Sequence, residues 1–279
     1  MYLRTAHAEL HLPTLYNFVE KNPLGLLTTA LPSKDHAFIQ TSHIPFILDA
    51  PSSPLEYATE GSNEDLGILR AHVARANPQA KVLIENALAL QDKTGDGGKN
   101  GTTLEQEVLI LFNGPAHHYV TPKWYTTTKP DTGKVVSTWN YSAVQVYGKA
   151  TILFDSKAPS TGAFLDRQLD DLATLTEEKI MGFDGKEGRK KPWTLKEAPE
   201  SYVNILKKAI VGIEIRIERI QGKWKMSQEL GDGDREGTIE GFKGMGGQVG
   251  MEIAGAIEER QKVKEGRGRE KREKSGCPI

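Results

Sequence analysis

Four short stretches of this sequence hold side chains whose types and spacing could do chemistry. The first is His72-Val-Ala-Arg75-Ala-Asn77-Pro78. Asn77-Pro78 suits a helix start, because Asn caps free backbone donors and Pro fits the first helical position. A strand ending at His72 would bring three polar side chains to that helix N-terminus, where free N–H groups and the dipole favour an anion. Arg75 adds a forked, charged donor suited to phosphate. A capped helix with a surface arginine gives the same pattern without a ligand.

The second stretch is Gly114-Pro115-Ala-His117-His118-Tyr119-Val-Thr121-Pro122-Lys123-Trp124-Tyr125. Its Gly and Pro residues mark turns, yet it carries three aromatic rings, and planar rings suit stacking on a flat ligand. His117 and His118 point to opposite faces if they lie on a strand, which disfavours metal binding. The third is Thr138-Trp139-Asn140-Tyr141. Core packing accounts for the two rings as well as a ligand does, whereas the Asn140 amide can donate and accept, matching a heterocycle edge. The fourth is Thr41-Ser42-His43, where alternation puts Ser42 on the face of Ile44 and Phe46 and His43 on the other. A satisfied sheet histidine is the commoner outcome there. No GxSxG elbow or Walker loop is present, and Gly244-Met-Gly246 misses a dinucleotide loop at Val249. No metal site and no catalytic acid or base can be assigned.

The elements that must position these residues are mainly strands. Apolar spacing predicts a helix over Pro13–Asn22 and strands over Leu24–Thr29, Phe38–Leu48, Leu55–Ala58 and Ile68–Val73. A helix from Asn77 to about Leu90 follows. Lys93–Thr103 reads as a flexible loop. Val108–Phe112 is a buried strand, and Val144–Ile152 another. Helices are expected over Phe164–Lys179 and Pro199–Ile210. Ile213, Ile215 and Ile217 alternate with charged residues, Gln221-Gly222-Lys223 turns the chain, and Trp224 and Met226 resume the alternation. With no βαβ rhythm, the reading is an α+β fold with a largely antiparallel sheet. After about Gly231 the text is Gly, Asp, Lys, Arg and Glu, which predicts a disordered tail, with a short helix near Val249–Glu259.

The chain has 279 residues and a net charge of −1. Residues 257–275 hold eight basic and five acidic side chains, +3, which leaves 28 basic against 32 acidic residues, −4, elsewhere. A body of that sign argues against nucleic-acid binding, and the tail would make only a weak, salt-sensitive contact. The single Cys277 rules out an intrachain disulfide or a CxxC pair. It suits a reducing compartment, and without an apolar leader the expected location is cytoplasmic. The longest clean apolar run, Val108–Phe112, is far too short to span a membrane.

HVARANPQ (His72–Gln79), LFNGPAHHYVTPKWY (Leu111–Tyr125), STWNYSAVQVYGKA (Ser137–Ala150) and GKWKMSQ (Gly222–Gln228) occur together in this order. In them the chain resembles the PaiB-type family of FMN-binding, negative-transcriptional-regulator-like proteins, within the FMN-binding split-barrel superfamily. The resemblance runs from Met1 to about Gln228. It implies a six-stranded antiparallel split barrel with peripheral helices, working as a homodimer with flavin at the subunit interface. It implies a phosphate site near His72, Arg75 and Asn77, and ring contacts from Thr41, Ser42 and His43. Lys123, Trp124 and Tyr125 would reach toward the other subunit, and Trp139, Asn140 and Tyr141 would complete the pocket. The expected organisation is one domain over residues 1–230, a flexible insertion at about 91–104, and the charged tail over 231–279.

The function this implies is FMN binding, as a flavin-dependent oxidoreductase served by a nicotinamide donor. Two alternatives stay open: a regulator-like protein without catalysis, and a split barrel holding haem on His43, His72, His117 or His118.

Overall fold

A computed structural model describes residues 1–53, 55–57, 65–94 and 101–274. Among them run nine strands: β1 (Ala8–Glu9), β2 (Leu24–Ala30), β3 (Ile39–Pro45), β4 (Ile47–Asp49), β5 (Ile68–Ala74), β6 (Thr102–Asn113), β7 (His118–Val120), β8 (Thr138–Leu153) and β9 (Ile210–Lys225). The α-helices are α1 (Leu12–Lys21), α2 (Pro78–Thr94), α3 (Thr128–Thr132), α4 (Pro159–Thr174), α5 (Glu200–Lys208), α6 (Asp232–Met245) and α7 (Gly247–Lys274).

The strands hydrogen-bond in the order β3-β2-β6-β8-β9-β5-β4, with β1 on β9 and β7 on β8. Pairing is antiparallel for β2–β3, β2–β6, β4–β5, β5–β9, β1–β9 and β7–β8. The fold is therefore α+β on an antiparallel sheet, as the strand pattern predicts. The sheet has nine strands among the described residues, where the resemblance implied six.

Two compact units build the chain, each from separate segments. The larger holds Leu10–Phe112 and Gln145–Ile220, and the smaller holds Met1–Glu9, Asn113–Val144 and Gln221–Ile279. Boundaries of this division fall inside β6, β8 and β9. In the larger unit, Leu27, Leu69, Ile110, Phe112 and Ile213 are completely buried. Phe46 meets Phe112 edge-on at 5.8 Å, and Gly25 admits both: a Cβ there would come within 2.8 Å of the Phe112 ring.

Several element boundaries differ from the sequence reading. The expected strand Phe38–Leu48 breaks between β3 and β4, because Pro45 has no N–H to offer and the Phe46 N–H goes to Pro23 O at 2.8 Å. Of Leu55–Ala58, Tyr57 makes one isolated bridge to His11, and Ala58 lies outside the described residues. Of the expected flexible insertion at 91–104, Gln91–Thr94 close α2 and Thr102–Leu104 open β6, while 95–100 lie outside the described residues. Gln221–Lys223 does not turn the chain, since β9 runs straight through it with alternating burial.

The segment after Gly231 is the largest difference. Instead of a disordered tail it forms α6 and α7, with Phe242, Ile253 and Ile257 completely buried. Two short apolar sets at helical spacing suffice because the helices bury them against each other. Residues 275–279 lie outside the described residues. Among the described residues no helix is long and apolar enough to cross a membrane.

Candidate functional site

Six of the expected site residues lie in the larger unit. Thr41, Ser42 and His43 sit on β3, at one end of the strand order. Thr41 and His43 are exposed and Ser42 is half-buried, as alternation requires. The Thr41 hydroxyl meets the Thr28 hydroxyl on β2 at 2.9 Å.

Asn77 caps α2: its Oδ1 accepts the Gln79 N–H at 2.8 Å. Its Nδ2 donates to Ser42 Oγ at 3.1 Å, so the helix start and β3 meet at one corner. Gln79 is buried there and ties the start of α2 to β2 and β3. Its Nε2 donates to Leu27 O at 3.0 Å, Thr29 Oγ1 at 3.0 Å and Gln40 O at 3.2 Å. Residue type alone assigns Gln79 no role; its place directly after the Asn-Pro cap is the signal that points to it.

Arg75 follows β5 at once. Its Nη2 donates to Phe154 O at 2.6 Å and Ile210 O at 3.4 Å, and its Nε to Lys208 O at 3.3 Å. Most of the fork expected to face a phosphate thus holds backbone carbonyls. His72 stands opposite Gly212 on β9. Its Nδ1 is buried without a hydrogen-bond partner, and burial lowers its basicity below the usual imidazole value.

That shift has a testable sign. A folded-state pKa below the unfolded value of about 6.5 means the unfolded chain takes up a proton first as the pH falls. The stability present above about pH 6.5 should therefore decline with acidification, and His72→Gln should flatten the decline. Urea midpoints between neutral and mildly acidic pH measure this. An unchanged slope in the variant would exclude His72 as its source.

The other six expected residues lie in the smaller unit. Lys123 and Trp124 sit in a short 3-10 turn, Pro122–Trp124, capped by Thr121 Oγ1, which accepts the Lys123 N–H at 3.2 Å. Lys123 is exposed. Trp124 packs edge-on against Phe242 at 4.8 Å. Tyr125 is buried, which raises the pKa of its hydroxyl, and the negative charges of Glu229 and Asp234 push the same way.

Trp139 and Tyr141 share one face of β8, and with Asn113, Gly114, Pro115, His117 and Ser142 they line an open cleft of about 370 Å³. Trp139 is 49% exposed. The His118 ring lies nearly parallel to it at 6.4 Å, and His117 is tilted by 30° at 6.2 Å. Asn140 is on the opposite face, completely buried, and its Nδ2 donates to Ser227 Oγ at 3.0 Å. The structure thus joins Ser42 to Asn77 and Trp139 to Tyr141, and turns Asn140 away from the cleft. Alternation on β8 was the signal that separates Asn140 from its neighbours.

A capped corner with unused buried polar atoms, and an open cleft lined by rings, define an α+β protein equipped for small ligands. Residues 1–219 match the family described as "Putative FMN-binding domain", and the chain belongs to it. An uncharacterised protein of Aspergillus fumigatus is 56% identical over 269 residues, covering 95% of this chain and 99% of that one. Protease synthase and sporulation protein PAI 2 of Bacillus subtilis is 26% identical over 263 residues, covering 94% of this chain and 96% of that one. Among solved structures, the flavocytochrome Anf3 of Azotobacter vinelandii aligns with a TM-score of 0.40 at 12% identity, covering 80% of this chain and 72% of that one.

Proposed function

We propose that the protein binds FMN as a homodimer and serves as a flavin-dependent oxidoreductase with a nicotinamide donor, in a reducing cytoplasm. Family membership supports the flavin. The observation that carries the reading is the polar corner of the larger unit. Gln40 Nε2, Gln79 Oε1 and His72 Nδ1 are buried there or on the adjoining β5 without hydrogen-bond partners. Buried polar atoms left unpaired cost stability and mark places where a ligand can complete the bonding. The residues therefore fit a phosphate-bearing, polar-edged cofactor.

In this reading the start of α2 and the Asn77 cap favour the phosphate through the helix dipole. Arg75 adds positive charge beside it. Ser42 presents its hydroxyl from β3 beside the Asn77 cap, and Thr41 and His43 present a hydroxyl and an imidazole from the opposite face of the strand. His72, kept neutral by burial, offers a hydrogen bond without adding charge. The partner subunit's Lys123 reaches the flavin held in this corner, from the turn that Trp124 and Tyr125 anchor by their own packing. FMN would supply the redox chemistry, and the protein would orient it and shape its electrostatics.

The test is the absorption spectrum of the purified full-length chain, before and after incubation with FMN. A flavin doublet, with FMN rather than FAD released on heating, is the expected result. A Soret band would overturn the reading in favour of haem. A colourless protein that takes up no FMN would remove it.

A further inference from the structure

The turn that carries Lys123, Trp124 and Tyr125 is fastened to a helix that lies beyond the region matched by the family. That region ends at residue 219, whereas α6 begins at Asp232. Everything that follows lies in the smaller unit. The Thr126 hydroxyl donates to Gly233 O at 2.8 Å. Asp234 Oδ1 accepts the N–H groups of Thr127 and Thr128 at 2.9 and 3.1 Å. These bonds hold the carboxyl of Asp234 below its usual range, against the opposing effect of burial.

Trp124 itself lies on a groove of α6. A Cβ at Gly241 would stand 2.2 Å from the indole, and one at Gly237 would stand 2.1 Å from Trp124 O. At Gly233 a Cβ would come 2.1 Å from Thr127 Oγ1. Real side chains do not approach this closely, so only glycine at these three helically spaced positions lets the turn sit where it does. Phe242 closes the seat, packing edge-on to Trp124 at 4.8 Å. The seat is itself braced by α7: Lys243 pairs with Glu258 at 3.1 Å, and Arg260 on α7 pairs with the buried Glu9 of β1 at 2.7 Å.

We propose that α6, braced by α7, is the positioning element for the Lys123–Tyr125 turn, and that Gly237 and Gly241 are positioning residues for flavin binding. The C-terminal helices hold the two rings, Trp124 on the α6 groove and Tyr125 buried, and so set the height and direction at which the exposed Lys123 meets the cofactor. This rests on the FMN reading above. It extends that reading by making the cofactor site depend on a segment outside the family domain.

The test uses the full-length protein. Gly241→Ala places a methyl group against the indole and should lift the turn off α6. Hydrogen exchange over residues 121–128 should rise, and FMN should bind about tenfold more weakly, equivalent to about 1.4 kcal/mol. Gly244→Ala, on the same helix where an added Cβ meets nothing within 4 Å, should change neither. Ile215→Val, which trims the completely buried core of the larger unit and leaves α6 and α7 as they are, should lower the thermal midpoint and leave FMN affinity unchanged. Faster exchange and weaker FMN in Gly241→Ala alone would uphold the proposal. An affinity within twofold of the parent protein would overturn it, as would an equal loss of affinity in Ile215→Val. If the parent protein takes up no FMN, the functional reading fails on its own, and hydrogen exchange still decides the seat. Unchanged exchange in Gly241→Ala would refute it.

Discussion

Replacing Asp49 with alanine is expected to lower stability by about 3 kcal/mol, the scale of breaking one partner out of a buried ion pair. Arg70 on β5 is only 2% exposed. Its Nε and Nη2 donate to the two oxygens of Asp49 at 2.6 and 2.9 Å. Nη2 also reaches Asp171 at 2.7 Å, and Nη1 donates to Gln168 Oε1 at 3.2 Å. Without Asp49 the guanidinium stays buried with half of its acceptors gone. Replacing Arg70 by methionine in the same chain should recover part of the loss, because the uncompensated charge leaves with it. Urea denaturation of the single and double variants measures this. Strict additivity would mean that the two side chains do not depend on each other.

The same cluster predicts a pH effect. Burial raises the pKa of the Asp49 carboxyl, but the Arg70 bonds and charge, with Arg167, outweigh it and hold the group below its usual range. A folded-state pKa below the unfolded one gives stability that is complete above the unfolded value of about 3.9. It is lost as the pH falls through the folded value. Asp49→Asn should therefore be less sensitive to acid in this window than the parent protein.

The second large effect is expected at Arg75. Arg75→Ala removes a charged donor from three carbonyls and should cost about 1.5–3 kcal/mol of stability. FMN affinity should fall with it, through Nη1, which none of those bonds uses. Arg75→Lys keeps the positive charge but cannot span three carbonyls, so it should lose stability while retaining more of the affinity. Thermal midpoints and flavin titrations on both variants separate the two roles. Lost stability with unchanged affinity would confine Arg75 to the backbone and send the phosphate elsewhere.

Local pattern made much of the fold legible. The Asn77-Pro78 helix start, the Ile213–Ile217 alternation and the antiparallel class depend on neighbours along the chain, and all three are observed. The candidate site was less legible, for a physical reason visible in three residues. Arg75 is a phosphate ligand by type and holds carbonyls by position. Asn140 carries a suitable amide, but strand alternation turns it into the packing beside Ser227. Trp124 has a ring suited to stacking and lies on a glycine groove more than a hundred residues further along.

The C-terminal segment marks the same boundary. Its composition describes a solvated tail, because Gly and charge dominate and the apolar residues are few. Yet Ile239, Phe242, Ile253 and Ile257 are buried, and Phe242 packs edge-on against the rings of both Trp124 and His118. The sequence by itself determined the family, the α+β class and the residue types available to a flavin. Only the tertiary structure decided which side chains remain available and which are held by other parts of the chain. Hydrogen-bond partners and close packing join residues distant in sequence, and no periodicity along the chain records them.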